Sequence, residues 1–249
     1  MRGTLRTTAF GVLAIALWAI VTSRSTPLLP GPGAVARAIA SSVADGTLPV
    51  ALLKTLARLG VGYGVALIAG IPLGVALARV RLVKETVGPL VLGMSAVPSI
   101  CWLPLAILWF GLSELAIQVV VVCGAVLPIA IATESAVTQV SPSIDRAART
   151  MGARGLRLLL TVTLPAALPG ILAGAKLGWT FALRSLMAGE LLFVSGGLGQ
   201  MLETGRDLGD TALVVGIVLV IVVVGRASEW ALFGRLDRFV ALRWGTGGA

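Results

Sequence analysis

The sequence predicts an all-α, polytopic membrane protein with six transmembrane helices and a short cytoplasmic helix between the fourth and fifth. Three observations lead there. Of 249 residues, 57% are hydrophobic and only 12% are charged, whereas a soluble domain carries about 25% charged residues. Mean hydropathy is +0.99, and uncharged runs near the length that crosses a bilayer, about 20 residues, recur along the chain. The 20 Lys and Arg residues gather at the ends of those runs, so the net charge of +9 reads as membrane orientation and not as a nucleic-acid surface.

The elements follow in order. The start, MRGTLRTTAFGVLAIALWAIVTSRSTP, has the basic-then-apolar form of a signal peptide, but it lacks a suitably placed small-x-small cleavage site. It is read as an uncleaved first span, about 7–22. The stretch STPLLPGPG is turn-rich, and AVARAIASSVADG reads as a short amphipathic helix. The second span, 59–78, is closed by the basic RVRLVKE. The third, 87–111, is interrupted by Pro89, Pro98 and Pro104. A tight turn at Ser113 and Glu114 leads into the fourth, 115–133.

A polar stretch, 134–165, comes next. The fifth span is placed at 167–190, with Pro165 and Pro169 marking where one helix ends and another begins. Residues 195–210 read as a glycine-rich surface loop. The sixth span, 211–232, precedes RASEWALFGRLDRFVALRW near the end of the chain. All of this is read as one transmembrane domain, 1–249.

An even number of crossings puts both termini on one side. Thirteen of the 20 cations then fall on that side. Arg24, Arg37, Lys54, Arg58 and Arg206 fall on the other, and Lys176 and Arg184 within the membrane. The positive-inside rule makes both termini cytoplasmic. Gly60-x-x-x-Gly64 and Gly70-x-x-x-Gly74 are small-xxx-small patterns that permit close helix packing.

The residue inventory excludes several chemistries. No histidine is present, which removes imidazole metal ligands and His-based nucleophile activation. Cys101 and Cys123 lie in apolar runs without metal or redox spacing, so no metal site is expected. No Gly-Lys dipeptide occurs, hence no phosphate-binding loop of the G-x-x-x-x-G-K-[ST] type. A secondary carrier would show repeated spans, and a membrane-embedded enzyme would need paired catalytic groups within them; neither is evident.

Charge inside the fifth span needs a reason. Lys176, Arg184 and Glu190 all fall there; Lys176 and Glu190 share a helix face but lie about 21 Å apart, with Arg184 between them. A central arginine costs about 2.5–3.5 kcal/mol on insertion scales, so Arg184 faces protein or water. Either it lines a pore and attracts an anion, or it bonds carbonyls or a carboxylate at a helix or subunit interface. With Trp102, these residues are the candidates for a translocation path.

The most distinctive feature is the island DRAARTMGARGLRLLLTVTLP, 145–165. Arg146, Arg149, Arg154 and Arg157 lie within twelve positions, which suits a membrane-surface helix, a cytoplasmic basic loop or a docking element. Ala147-Ala148, Gly152 four positions later and Leu164-Pro165 twelve beyond that resemble the EAA loop of ABC-importer permeases. Arg146 stands at the glutamate position and Asp145 precedes it. LLPGPGAVARAI, LIAGIPLGVALAR, VPSICWLPLAILWFGLSE and SGGLGQML are similar to the nitrate/sulfonate/taurine branch of that family, in the family's order.

The resemblance implies a multi-pass permease of a bacterial inner membrane, importing a small anion such as an aliphatic sulfonate, taurine or nitrate and not itself an enzyme. It implies that Asp145, Arg146, Ala147, Ala148, Arg149, Gly152, Ala153, Arg154, Leu164 and Pro165 belong to the element coupled to an ATPase, with Ala147, Ala148 and Gly152 at the contact. It implies as partners two ATPase subunits that bind ATP and Mg, a second permease copy or a similar permease, an extracytoplasmic solute-binding protein and membrane lipid. No cofactor is then held by this chain.

Overall fold

The computed structural model describes residues 13, 16–22, 29–192 and 195–244, and in these it is built of helices. Residues 16–22 are helical (α1); most of the expected first span, 7–22, lies outside the described residues. Then come α2 (Pro32–Ala44), α3 (Thr47–Arg79), α4 (Arg81–Thr86), α5 (Gly88–Ser95), a 3₁₀ turn (Ser99–Trp102), α6 (Leu103–Phe110) and α7 (Glu114–Thr138). They are followed by α8 (Pro142–Thr150), α9 (Gly155–Leu158), a π-helical turn (Leu159–Thr163), α10 (Leu164–Leu191), α11 (Leu198–Asp207) and α12 (Thr211–Trp244).

Among the described residues, four helical stretches are long and apolar enough to cross a membrane: Thr47–Arg79, Glu114–Thr138, Gly155–Leu191 and Thr211–Val240. A fifth crossing is available if Gly88–Ser95 and Ser99–Phe110, which meet at 103°, count together as one broken span. The chain divides into two compact units, Met1–Thr55 with Glu190–Val224, and Leu56–Gly189 with Gly225–Ala249.

Local sequence explains the helix ends. Pro32 occupies the first turn of α2, where its missing N–H removes no bond. Gly111, at φ +68°, ends α6 in the left-handed region. Two residues on, Ser113 caps α7 by accepting from Ala116 N at 3.4 Å.

Three expectations require correction. Pro169 does not start a new helix: α10 runs through it from Leu164, with Pro165 in its first turn. A transmembrane helix tolerates an interior proline when neighbouring helices re-satisfy the freed carbonyl. The stretch 195–210 is not a surface loop throughout, since Leu198–Asp207 is helical and Leu198, Gly199 and Gly205 are buried. The second apolar segment, 59–78, is only the later part of a helix that starts at Thr47.

In the larger unit, α7 is the packing centre. Ala116, Ile117, Val120, Val121, Gly124, Ala125, Leu127, Ile129, Ala130, Thr133 and Val137 of this one helix are all buried. Glycines bring its neighbours in. A Cβ on Gly70 would lie 2.9 Å from the Val126 carbonyl, and one on Gly74 would strike the Ala130 carbonyl and Thr133. On the other flank, Gly170, Gly174 and Gly178 of α10 sit against Ala136, Ala132 and Ile129. Such contact without Cβ atoms is how helices associate where lipid offers no hydrophobic drive.

The expected Gly60/Gly64 pair behaves differently, because a Cβ on either meets nothing within 4 Å. Gly60 lines an apolar groove with Tyr63, Trp179 and Phe233. There the Tyr63 hydroxyl donates to the Ala175 carbonyl at 2.8 Å, and its ring meets Trp179 edge-on at 5.0 Å.

This contrast sets a test. Gly74→Ala should destabilise the detergent-solubilised protein by about 1–3 kcal/mol through overpacking. Gly64→Ala should leave the melting temperature unchanged or raise it, because a helical alanine is favoured over glycine by about 0.5–1 kcal/mol. Thermal melting followed by tryptophan fluorescence reads both.

Candidate coupling and translocation elements

The arginine island folds as a short surface helix with defined ends. Ser141 caps α8, accepting from Ser143 N at 3.4 Å, and Pro142 fills the first position. At the other end Gly152 N donates to the Arg149 carbonyl and Ala153 N to the Ala148 carbonyl, both at 3.0 Å, with Gly152 at φ +90°. That pairing is the Schellman arrangement, which requires a left-handed residue after the helix. A Cβ on Gly152 would meet nothing within 4 Å, so glycine serves the backbone turn here and no close contact within the chain.

One residue per turn faces inward. Ala148 is 3% exposed, so it cannot stand at an external contact, in contrast to the expectation; Ala147, Gly152 and the four arginines are exposed. None of Arg146, Arg149, Arg154 and Arg157 has an ion pair among the described residues. Asp145 points the other way. Arg79, the last residue of α3, donates to its Oδ2 at 3.3 Å, and Thr163 Oγ1 lies 3.3 Å from Oδ1. Arg79 also donates to Thr163 Oγ1 at 2.8 Å.

This triad ties α8 to the end of α3 and to the π-helical turn that leads into α10. Thr163 Oγ1 also lies 3.5 Å from the Leu158 carbonyl, five residues back. Leu164 and Pro165 then form the first turn of α10, so the whole island is one connected unit from cap to span.

Of the four residues expected to line a path, Trp102, Lys176 and Arg184 lie in the larger unit and Glu190 in the smaller. Lys176 Nζ lies 2.5 Å from Asp237 on α12, and that pair neutralises it. Trp102 is half-buried in the 3₁₀ turn. Arg184 is exposed, with its guanidinium carbon 5.8 Å from the centroid of the Phe181 ring, and no hydrogen bond or ion pair to it is found among the described residues.

Glu190 is fully buried and belongs to the smaller unit. Thr55 Oγ1 lies 2.9 and 3.0 Å from its two oxygens, and Gly199 N donates to it at 3.1 Å. Thr55 Oγ1 in turn accepts from Leu198 N at 2.9 Å. Glu190 thus holds the first turn of α11, whose free N–H groups and positive end favour an acidic partner. It is a structural anchor, not a lining group.

Sequence reasoning missed three participants. Asp237 was read as part of a terminal segment, yet α12 continues past Arg226 and delivers it to Lys176. Arg58, expected among the cations of the outer side, is buried in α3 and paired with Glu114, the first residue of α7. Thr55 carried no signal at all. Its role is testable: Thr55→Val should cost about 1–3 kcal/mol by leaving buried groups unpaired. Hydrogen exchange should quicken at the Leu198 and Gly199 amides while those of α7 stay protected.

Comparison with known proteins places this architecture. Residues 70–232 match the family model described as the binding-protein-dependent transport system inner membrane component. The taurine transport system permease protein TauC of Escherichia coli K12 is 29% identical over 236 residues, covering 91% of this chain and 86% of that one. SsuC of Bacillus subtilis, named for aliphatic sulfonates transport, is 27% identical over 92% of this chain and 84% of its own. The riboflavin transport system permease protein RibX of Chloroflexus aurantiacus is 30% identical over 87% of this chain and 80% of its own. Among solved structures, the MetNI methionine ABC transporter in an inward-facing conformation shares the fold. Its TM-score is 0.70 at 24% identity, and the match covers 78% of this chain and 96% of that one. The chain, a multi-pass membrane protein, belongs to the family of binding-protein-dependent transport system inner membrane components, the permease subunits of ABC importers.

Proposed function

We propose that this permease imports a small anionic solute, of the size and charge of an aliphatic sulfonate, taurine or nitrate, across a bacterial plasma membrane. In this reading the chain crosses six times within one domain, 1–249, with both termini and α8 in the cytoplasm. Two ATPase subunits, which bind ATP and Mg, drive it. A second copy or a similar permease completes the path, and an extracytoplasmic solute-binding protein delivers the solute. The names of TauC and SsuC support the anionic class; RibX shows that the family's solutes are broader.

The observation that carries the coupling part is the state of α8. It is exposed, carries arginines at 146 and 149 and is followed by two more at 154 and 157. Through Asp145, Arg79 and Thr163 it is bonded to two helices long enough to cross a membrane. A push on α8 therefore reaches α3 and the lead into α10 directly. Ala147, Arg146, Arg149, Gly152 and Arg154 form the docking face, Ala148 and Asp145 the inner face, and Ala153, Leu164 and Pro165 the link to the span.

Crosslinking tests this reading. In membranes from cells expressing the whole transporter, Ala147→Cys and Met151→Cys should capture the ATPase subunit. Ala148→Cys, facing inward, should not. Absence of an ATPase adduct at both exposed positions would overturn the proposal. A second variant addresses the triad: Asp145→Ala should keep the ATPase bound while reducing solute moved per ATP hydrolysed several-fold. Paired uptake and phosphate-release assays in proteoliposomes measure that ratio.

A further inference from the structure

In the larger unit, the chain breaks its helical course at Ala96–Pro98, between α5 and the 3₁₀ turn, and changes direction by 103°. Ala96, Val97 and Pro98 are exposed. A cavity of about 250 Å³ opens beside this break, lined by residues 94–99, by Cys123, Gly124, Leu127 and Pro128, and by Phe181 and Arg184. The α7 contributors come from the middle of that 25-residue helix, so with α7 as a crossing the cavity lies near mid-bilayer.

Two independent observations favour water in it. Non-helical backbone at membrane depth persists only where it is buried in protein or lines water, and the break is not buried within this chain. A guanidinium at the same depth obeys the same rule, and Arg184, which lines the cavity, has no acid or carbonyl partner among the described residues. The other basic side chain of the span, Lys176, is neutralised by Asp237. Arg184 is therefore the cation of α10 left to meet a solute.

We propose that the cavity at the 96–98 break is an anion-binding station on the translocation path. The Arg184 guanidinium, set over the Phe181 ring, receives one oxyanion head group there. Its volume equals on the order of eight water molecules at about 30 Å³ each, enough for a sulfonate or similarly sized oxyanion with a short tail. Guanidinium favours such groups because its planar fork can donate two parallel hydrogen bonds. This site rests on the permease reading given above.

Cys123, in the lining, gives a readout that does not depend on transport. In the assembled transporter carrying Cys101→Ala, Cys123 is treated with a methanethiosulfonate bearing either a sulfonate or a quaternary ammonium. Rates are normalised to those with a free thiol. The anionic reagent should react about ten-fold faster or more, the local enrichment a focused positive charge produces. Arg184→Gln should abolish that preference, and Arg184→Lys should retain most of it. Ethanesulfonate should slow the anionic reagent on the Arg184 protein but not on Arg184→Gln.

A reagent ratio unaffected by Arg184→Gln, or a Cys123 unreactive toward both reagents, overturns the site. ATPase retention is scored on the same samples. Retained ATPase with an unchanged ratio removes the site alone, whereas a chain that never holds an ATPase removes the proposed coupling through α8, and the ratio still decides the site.

Discussion

Close backbone approach to α7 is the constraint on which the larger unit depends. In lipid the hydrophobic effect does not drive helix against helix, so contact must come from packing and from small residues that let it be intimate. Glycines at 70 and 74 on α3, and at 170, 174 and 178 on α10, supply that on two flanks of one helix. Gly124 of α7 repeats the device in the other direction, lying against Ser185 and Ser99. Because α7 is clasped at its middle, the break beside Ser99 and the arginine next to Ser185 come to the same place. The architecture that stabilises the bundle also builds its cavity.

Charge inside the spans follows from the same setting. Buried and half-buried charged groups in the helices of the larger unit have counterparts: Arg58 has Glu114, Lys176 has Asp237, Asp145 has Arg79, and Glu134 has Lys84. In the smaller unit Glu190 has Thr55 and the first amides of α11. Leaving such a group alone in an apolar setting is costly, and internal pairing removes that penalty while making the group structural. Arg184, which is exposed, stands outside that set, with an aromatic face as its described neighbour. Its separation from Lys176 and Glu190 in role, though all three share one helix, is a matter of which face each presents and what stands opposite.

Much of this was legible in the residues. Long uncharged runs and the polar island between them marked the membrane class and the position of α8, because both signals are local. Partners distant in sequence were not. Nothing near Lys176 points to Asp237, and an acid in RLDRFVALRW looks like part of a charged terminal segment until α12 is seen to continue as one helix. Pro169 misled for a related reason: a breaker in water is tolerated where neighbouring helices satisfy the freed carbonyl. The glycine series at 170, 174 and 178 was readable at its four-residue spacing and outperforms Gly60/Gly64, whose missing side chains face open space. Spacing identifies a smooth helix face but not what lies against it.

The displaced acid of the island carries the last point. A step of one residue turns a helix by about 100°, so moving the acid from position 146 to 145 takes it off the outer face. In α8, Asp145 accordingly turns inward to Arg79 and Thr163, and Arg146 stands exposed where the resembling loops carry glutamate. The acid then acts within the chain, fastening the helix to its own spans, while the exposed charged side chains of the island, Arg146, Arg149, Arg154 and Arg157, are all basic. If α8 docks as proposed, carboxylates on the partner would complement these arginines, and salt would weaken the contact. Two neighbouring charges of opposite sign thus take different faces of one short helix, Asp145 turned to the chain's own helices and Arg146 to the outside.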